Sequence, residues 1–326
     1  MPNYKVVDAD ELDAKLSAIG DSLRAKTGKT ELIPIDDIPA EIDSISGGGD
    51  EDAANIIEGS AEEIRSDAET VRNYAFCYYG NLKSANFSRA TNVGDSSFNY
   101  CVSLQTATFP ELVTIGNSAF YNCVKLSDII ATKVKTMNTY AFNGCYSLAS
   151  AEFPNALTVS AYAFYDCTSL TTANFPSLTS ANNNIFRNCS SLVNVNIPNI
   201  THAQSSLFQG CSALPYVDFP KVTKIDSSVF KNCTALSTLA LRNMSVCTLS
   251  NVSAFDSTPF ASSGAGGIVL CPVSLIPEYM NASNWSALVE GGKCLFWPLE
   301  SYTVDGTTTG EIDWDKLNAD REGAFA

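Results

Sequence analysis

The sequence predicts a repeat solenoid, because one residue pattern returns every 22 positions through the middle of the chain. Phenylalanine marks this period, and a leucine follows each phenylalanine after six residues. The phenylalanines are Phe76, Phe98, Phe120, Phe142, Phe164, Phe186, Phe208 and Phe230. A unit of 22 residues cannot bury an apolar face alone, so we expect its copies to stack on one another.

Composition fits a folded chain outside the membrane. Of the 326 residues, 45% are hydrophobic and 17% are charged, as in folded proteins. This length does not require several globular domains, since a solenoid grows by adding units. No apolar stretch approaches the roughly 20 residues of a membrane helix, so we expect no membrane insertion.

The net charge of −15 is concentrated at the two ends of the chain. Residues 1–58 sum to −9 and residues 248–326 to −7, whereas residues 98–247 sum to +2. Nucleic acids and anionic membranes are bound mainly through Lys and Arg. We therefore expect no nucleic-acid partner, and no cofactor is indicated.

Residues 1–46 predict a small helical module for docking or oligomerisation. Leu12, Leu16, Ile19 and Leu23 fall on one stripe of an expected helix over residues 8–25. A helix this short needs a partner for its apolar stripe, either within its own module or on another subunit. A second short helix is expected to follow Pro39.

Two segments, one within this module and one directly after it, are assigned no binding function. Thr27-Gly28-Lys29-Thr30 lacks the first glycine of a phosphate-binding loop, because that position holds Leu23. Gly28 is expected instead to end the preceding helix. Residues 47–58 begin with three glycines and continue with acidic residues, which predicts a flexible linker.

Residues 59–254 are predicted to form the solenoid. In each repeat, leucine, alanine and phenylalanine stand at positions 1, 4 and 6, as in Leu104, Ala107 and Phe109. This is the inward set of a leucine-rich repeat strand. A proline such as Pro110 then ends the strand. Apolar positions such as Ile115 are expected to fill the core from the opposite wall.

This pattern resembles the BspA-like class of leucine-rich repeats, known from bacterial and protist surface proteins and from phage-encoded proteins. The resemblance covers about residues 59–300. It implies short strands, an irregular convex side and a C-terminal cap, and it is specific for fold but not for function.

Cysteine recurs on the same period. Seven of the eleven cysteines form this series: Cys101, Cys123, Cys145, Cys167, Cys189, Cys211 and Cys233. Neighbouring members would lie about 4.8 Å apart, so adjacent pairs could bond, but seven cannot all pair. A ladder of buried thiols acting as small apolar plugs is favoured. There is no C-x-x-C pair and His202 is the single histidine, so no metal site is predicted.

Residues 255–300 are predicted to form the cap, because the period breaks after Phe230 and a solenoid end otherwise exposes core. Trp285, Phe296 and Trp297 are expected in the core of this cap. Residues 301–326 are assigned to an appendix with little apolar content and a turn at Asp305-Gly306.

The candidate binding surface consists of strand positions 3 and 5, whose side chains face away from the core. Hydroxyl, amide and carboxylate groups there can bind sugar hydroxyls or a protein backbone, although an ordinary solvated sheet has the same composition. The candidate residues are Asp128, Glu152, Asn174, Asn194, Asn196, Tyr216 and Asp218.

No catalytic grouping is predicted. Glu152 and Asp218 would lie about 14 Å apart, beyond the separation of glycosidase carboxylates. Asp128 and Glu152 satisfy the distance rule alone, but nothing in the sequence buries either carboxylate, as a catalytic acid requires. His202 occupies a polar repeat column, so it supports no nucleophile.

Residues 12–42 resemble a module at the start of phage and prophage structural proteins, with Ile19, Leu23 and the Arg24-Ala25-Lys26-Thr27-Gly28 run as its core. The resemblance implies docking onto a tail or another virion protein, with the solenoid presented to a host surface protein or glycan, in a homo-oligomer. No secretory signal is recognised at residues 1–30, which fits release by lysis. The alternatives are a bacterial cell-surface adhesin and a structural or decorating virion component.

Overall fold

The architecture follows from a computed structural model, which describes residues 61–261, 266–290 and 293–324. The predicted helix with Leu12, Leu16, Ile19 and Leu23, and the linker 47–58, lie outside the described residues.

Two parallel ladders run along the described solenoid. The first contains the longer strands: β1 (Glu63–Ser66), β3 (Ser84–Phe87), β5 (Thr106–Thr108), β7 (Asp128–Ile130), β9 (Ser150–Glu152), β11 (Thr172–Asn174), β13 (Asn194–Asn196), β15 (Tyr216–Phe219), β17 (Thr238–Leu241), β19 (Gly267–Cys271) and β20 (Cys294–Pro298). The second contains two-residue strands: β2 (Thr70–Val71), β4 (Asn92–Val93), β6 (Thr114–Ile115), β8 (Thr136–Met137), β10 (Thr158–Val159), β12 (Ser180–Ala181), β14 (His202–Ala203), β16 (Lys224–Ile225) and β18 (Thr248–Leu249).

The predicted inward positions are buried. Leu104 and Phe109 are fully buried and Ala107 is 1% exposed. Ile115 is buried from the opposite wall, as predicted, and that wall consists of two-residue strands in two sheets, β2 to β12 and β14 to β18. The phenylalanine rings stack directly on one another, with centroids of Phe120 and Phe142 5.1 Å apart and parallel. The core is therefore a continuous column that passes from repeat to repeat.

The longer strands divide into three sheets: β1-β3-β5-β7, β9-β11-β13 and β15-β17-β19-β20. Pro215 lies at the break between β13 and β15. In the neighbouring repeats the equivalent residue donates its backbone N–H to a carbonyl oxygen of the preceding repeat. Val193, for example, donates to Thr171 O at 3.0 Å. Proline has no N–H to donate, so this bond is absent there while the core continues beneath it.

All eleven cysteines are free and buried in this structure. In the periodic series each Sγ donates a hydrogen bond to a phenylalanine carbonyl, for example Cys101 to Phe76 O at 2.9 Å and Cys145 to Phe120 O at 3.1 Å. Burial raises the pKa of the Cys233 thiol from 9.0 to about 12, despite backbone hydrogen bonds that lower it. The Cys233 thiol therefore stays protonated and unreactive in the folded state at neutral pH.

The cap forms as predicted around Trp285. Helices α1 (Ile276–Asn281) and α2 (Trp285–Glu290) cover the last repeat between β19 and β20. Trp285 is fully buried, and its Nε1 donates to Cys247 O at 2.7 Å. Phe296 packs against the main core and Trp297 against a second cluster. None of the described helices is long and apolar enough to cross a bilayer.

The C-terminal residues are folded onto the solenoid. A 3-10 turn (Leu299–Tyr302) leads through a bridge between Thr303 and Ile312 to α3 (Trp314–Ala324). Ile312 and Leu317 are buried with Ala240, Ile268 and Leu270 of the strands. The predicted turn exists, with Gly306 at φ 71°, but the appendix is a layer over β17 and β19.

The buried thiols predict sensitivity to base. Because burial raises the pKa of thiols such as Cys233 and Cys247 from 9.0 to about 12, their stabilisation is complete below pH 9 and is lost as the pH rises towards 12. Urea unfolding should show the free energy of unfolding unchanged by these thiols from pH 7 to pH 8, and falling between pH 9 and pH 11 by about 1 kcal/mol per pH unit for each such thiol. Cys233→Ala should make the fall shallower, and an equally steep fall would contradict this assignment.

Candidate functional site

The longer strands present a polar surface on their outward side, which we call the strand face. Its candidate residues lie on β7 to β15, in register from one strand to the next within each sheet. Four of the candidates are exposed: Asp128, Glu152, Asn194 and Asn196. The other three are half-buried: Asn174, Tyr216 and Asp218. The candidates are therefore not equally accessible to a ligand.

A hydrogen-bonded ladder occupies the middle of the strand face. The side-chain amide of Asn174 donates to Glu152 Oε2 at 2.7 Å, and that of Asn196 donates to Asn174 Oδ1 at 2.8 Å. The three residues are aligned because β9, β11 and β13 pair in parallel with a shift of one repeat. Neither Glu152 Oε1 nor Asn196 Oδ1 accepts a hydrogen bond from the described residues. A ligand can therefore donate to both ends of a preorganised ladder.

An apolar side chain lies beside this ladder on the preceding strand. Ile130 occupies the same outward column as Glu152 and is 48% exposed. Asp128 lies two residues earlier on the same strand. The free part of the strand face thus combines carboxylates, amides and one apolar contact.

The C-terminal layer closes the other end of the strand face. The rings of Tyr216 and Trp314 lie 4.3 Å apart. Asp218 accepts hydrogen bonds from Arg242, with Nε 2.9 Å and Nη2 2.7 Å from Asp218 Oδ2. Arg242 Nη1 also donates to Thr308 O at 2.9 Å. Tyr216 and Asp218 therefore hold the chain's own C-terminal residues in this structure.

This closure was difficult to predict from the sequence. The outward columns continue into Thr238 and Ala240, which are 3% and 1% exposed because the C-terminal layer covers them. The available signal was Trp314, a large aromatic residue in an otherwise polar segment.

The single histidine lies on the opposite ladder, in a charged cluster. His202 Nε2 is 2.8 Å from Asp226 Oδ2, and Asp226 also contacts Lys224 Nζ at 2.9 Å and Ser250 Oγ at 3.0 Å. Partial burial raises the pKa of Asp226, but hydrogen bonds from Lys224 and Ser250 and the nearby His202 outweigh it and lower the pKa. Among the described residues, no hydroxyl or thiol nucleophile hydrogen-bonds to His202. Within the described residues no group of three or more His, Cys, Asp or Glu side chains is placed to hold a metal ion.

The structure contains a second surface that the sequence did not predict. Six tyrosines form a continuous line of ring contacts on the turns between the two ladders, and we call this line the tyrosine row: Tyr78, Tyr100, Tyr121, Tyr140, Tyr162 and Tyr165. Arg187 ends the row, with its guanidinium 5.5 Å from the Tyr165 centroid.

Four tyrosines of the row adopt left-handed backbone. The φ angles are 65° at Tyr78, 59° at Tyr100, 59° at Tyr140 and 60° at Tyr162. This conformation costs roughly 1–2 kcal/mol for a residue with a Cβ. Other repeats fill the same turns with residues that tolerate it, such as Asn122, Gly144, Asn188, Gly210 and Asn232. The tyrosines are therefore not required by the turn itself.

Comparison with known proteins identifies the repeat type. The BspA type leucine-rich repeat region matches residues 69–179 and 157–263, in six copies. A search of curated proteins finds no match.

Solved structures with leucine-rich repeats are also similar. A Treponema pallidum leucine-rich repeat protein is 29% identical with a TM-score of 0.40, over 41% of this chain and 68% of that chain. A leucine-rich cell surface protein from Faecalibacterium prausnitzii is 18% identical with a TM-score of 0.33, over 61% of this chain and 71% of that chain. A leucine-rich repeat protein from Bacteroides ovatus is 17% identical with a TM-score of 0.32, over 73% and 84%.

The contact between Arg242 and the C-terminal layer can be tested by substitution. Arg242→Ala should lower the free energy of unfolding by about 2 kcal/mol, because a largely buried guanidinium with five hydrogen bonds to four acceptor atoms is lost. Trypsin should then cleave faster after Lys316 and Arg321. The control Lys83→Ala removes an exposed pair with Glu62 and should change stability by less than about 1 kcal/mol. Unchanged cleavage in Arg242→Ala would show that other contacts hold the layer.

Proposed function

We propose a recognition function from one premise: the chain belongs to the BspA-type leucine-rich repeat family. In this proposal the protein is a non-enzymatic scaffold, and the strand face binds a protein or glycan on a host surface. The observation that carries it is the ladder of Glu152, Asn174 and Asn196, which lies open to solvent with unused acceptor atoms.

The chemistry of the ladder favours a neutral ligand rich in donors. Sugar hydroxyls and peptide N–H groups both donate to carboxylate and amide oxygens. The solenoid between residues 98 and 247 carries a net charge of only +2, so long-range attraction of a charged ligand is weak. Binding therefore depends on hydrogen bonds made at short range, with Ile130 supplying apolar contact.

The finer proposal is that the scaffold is part of a phage particle. Its support is the resemblance of residues 12–42 to a module of phage and prophage structural proteins, with the stripe of Leu12, Leu16, Ile19 and Leu23 docking onto a tail protein or a second subunit. The protein would assemble in the host cytoplasm and be released by lysis. A bacterial cell-surface adhesin is the alternative, and a decorating virion component without a receptor is a further one.

Host binding is tested by labelling intact candidate host cells with purified protein. Changing Glu152, Asn174 and Asn196 together to alanine should weaken labelling by about tenfold or more, since each lost hydrogen bond contributes about 0.5–1.5 kcal/mol. The matched control changes Thr136, Thr158 and Ser180 to alanine on the two-residue strands.

Two pretreatments of the cells distinguish the ligands. Periodate oxidation should abolish labelling if the ligand is a glycan, and protease treatment should abolish it if the ligand is a protein. Equal loss of labelling in the ladder variant and its control would argue against the strand face. Failure to label any candidate host would favour the decorating role.

Assembly through the N-terminal stripe is tested by mass measurement. Leu16→Asp with Leu23→Asp places two charges on the predicted apolar stripe, and we expect the native oligomer to dissociate, because burying unpaired charges is unfavourable. Ser17→Asp with Ser22→Asp adds the same charge off the stripe and should leave the mass unchanged. Light scattering after size exclusion gives the mass, and a monomer in the unsubstituted protein would remove the assembly role.

A further inference from the structure

One boundary between repeats has fewer backbone hydrogen bonds than the others, and we call it the seam. It lies between residues 180–197 and the next circuit of the chain, residues 202–219. We propose that the solenoid divides at the seam into two cooperative blocks, which open and unfold separately. The first block is residues 61–197, and the second comprises the described residues from 202 to 324.

The ladder of two-residue strands is interrupted at the seam. β12 and β14 do not pair, whereas all other neighbouring strands in the described part of this ladder do. At the other boundaries, the residue just before the strand donates its N–H to the preceding repeat. Thr179 donates in this way to Leu157 O at 3.2 Å, and Thr223 to Thr201 O at 2.9 Å. Thr201 itself makes no such bond to Thr179 O.

The ladder of longer strands is interrupted at the same boundary. β13 and β15 do not pair. One repeat earlier, Phe175 donates its N–H to Asn196 O at 2.8 Å, but Ile197 makes no equivalent bond to Asp218 O. Pro215 has no N–H to donate to the preceding repeat. Both walls of the solenoid therefore lack ladder bonds at the seam.

The turn side remains bonded across the seam. Phe186 donates its N–H to Leu207 O at 3.0 Å, and Asn188 donates to Gln209 O at 2.7 Å. Equivalent bonds join the turns at the boundaries before and after it. The blocks are thus held together at the turns and by the core between them.

The core contact across the seam is weaker than elsewhere. The rings of Phe186 and Phe208 stack with centroids 5.6 Å apart, compared with 5.1 Å earlier in the same column. The strand phenylalanines form a second column, and Ile197 replaces one of them between Phe175 and Phe219. Ring contact in that column is therefore lost where the ladders are also interrupted.

A single interruption elsewhere provides the comparison. β7 and β9 also do not pair. At that boundary, however, the two-residue strands β6 and β8 pair, and Asn138 donates to Ile115 O at 3.0 Å. The turns are bonded as well, with Phe120 donating to Ala141 O at 2.8 Å. One wall is open there and two are open at the seam, so we place the division at the seam.

A weak boundary divides a solenoid because each repeat contacts only its neighbours. The stability of a repeat protein is roughly a sum of terms for the repeats and for the interfaces between them. Groups of repeats therefore open as separate units where an interface is weak. Each missing backbone hydrogen bond weakens an interface about 2- to 10-fold, and the seam lacks such bonds on both walls.

The division separates the two parts of the strand face. Glu152, Asn174 and Asn196 belong to the first block, whereas Tyr216 and Asp218 belong to the second block with the C-terminal layer. Opening of the second block therefore releases the layer and leaves the side-chain ladder of Glu152, Asn174 and Asn196 intact. This division does not depend on host recognition or on the N-terminal stripe.

Hydrogen exchange of the full chain, read by mass spectrometry on peptides from both blocks, tests the division. Leu104→Ala and Leu236→Ala are matched, because both leucines are fully buried at the same repeat position. Leu104→Ala should speed exchange of the most protected amides of the first block by about 30-fold or more. Those of the second block should change less than about twofold, and Leu236→Ala should show the converse.

A milder pair covers the case in which a leucine variant does not fold. Ile115 and Ile225 are fully buried at equivalent places on the two-residue strands. Ile115→Val and Ile225→Val each remove one buried methyl group and should speed exchange about 2- to 10-fold, each only in its own block.

Tryptophan fluorescence gives an independent readout. All three tryptophans, Trp285, Trp297 and Trp314, lie in the second block. In urea, the midpoint of the fluorescence change should move in Leu236→Ala and stay in place in Leu104→Ala. Circular dichroism reports on both blocks and should show a transition that does not coincide with the fluorescence.

Equal acceleration of exchange in both blocks by either leucine substitution would overturn the proposal, because a single cooperative unit responds as a whole. Coincident transitions by fluorescence and circular dichroism in all variants would overturn it as well. So would a division between β7 and β9, in which residues 136–197 respond to Leu236→Ala and not to Leu104→Ala.

Discussion

The stacking of each repeat on its copy, one period along the chain, is the constraint on which the rest of this structure depends. A repeat has no apolar neighbours except the repeats before and after it. The phenylalanine rings of successive repeats therefore stack, from Phe76 at one end to Phe255 at the other. Once the rings and backbones are in register, every side chain lies directly beside its equivalent in the next repeat. Columns of like residues on the surface are a consequence of the core.

This constraint makes neighbouring side chains interact with their own equivalents. Asn174 and Asn196 bond along one column, the thiol of Cys145 reaches the carbonyl of Phe120, and tyrosines stack along the turns. Such contacts preorganise a surface because they fix side-chain rotamers before any ligand arrives. They also use part of its bonding capacity, so the atoms at the ends of each ladder are the ones available to a ligand.

The interior could be predicted from the sequence, and the surfaces only in part. Phe109 and Cys145 were assigned correctly because burial repeats every 22 residues and leaves a periodic signal. The C-terminal layer left no periodic signal, because its contacts occur only once in the chain. Arg242 joins Asp218 to Thr308, which lies 66 residues after Arg242. The tyrosine row was hidden for another reason. Its members come from three different positions of the repeat, so no single column of the sequence shows it.

Departures from the repeat therefore carry the information about function. Any residue that repeats unchanged can be explained by stacking, but a residue that breaks the pattern without helping the core needs another cause. Pro215 lies at a break in the ladder of longer strands. Arg242 holds the C-terminal layer against the solenoid. Tyr100 adopts left-handed backbone at a turn where the next repeat has Asn122. The strand face and the tyrosine row draw on different residues. A change at one of them leaves the shared column of phenylalanines intact, so the two surfaces can evolve separately on one scaffold.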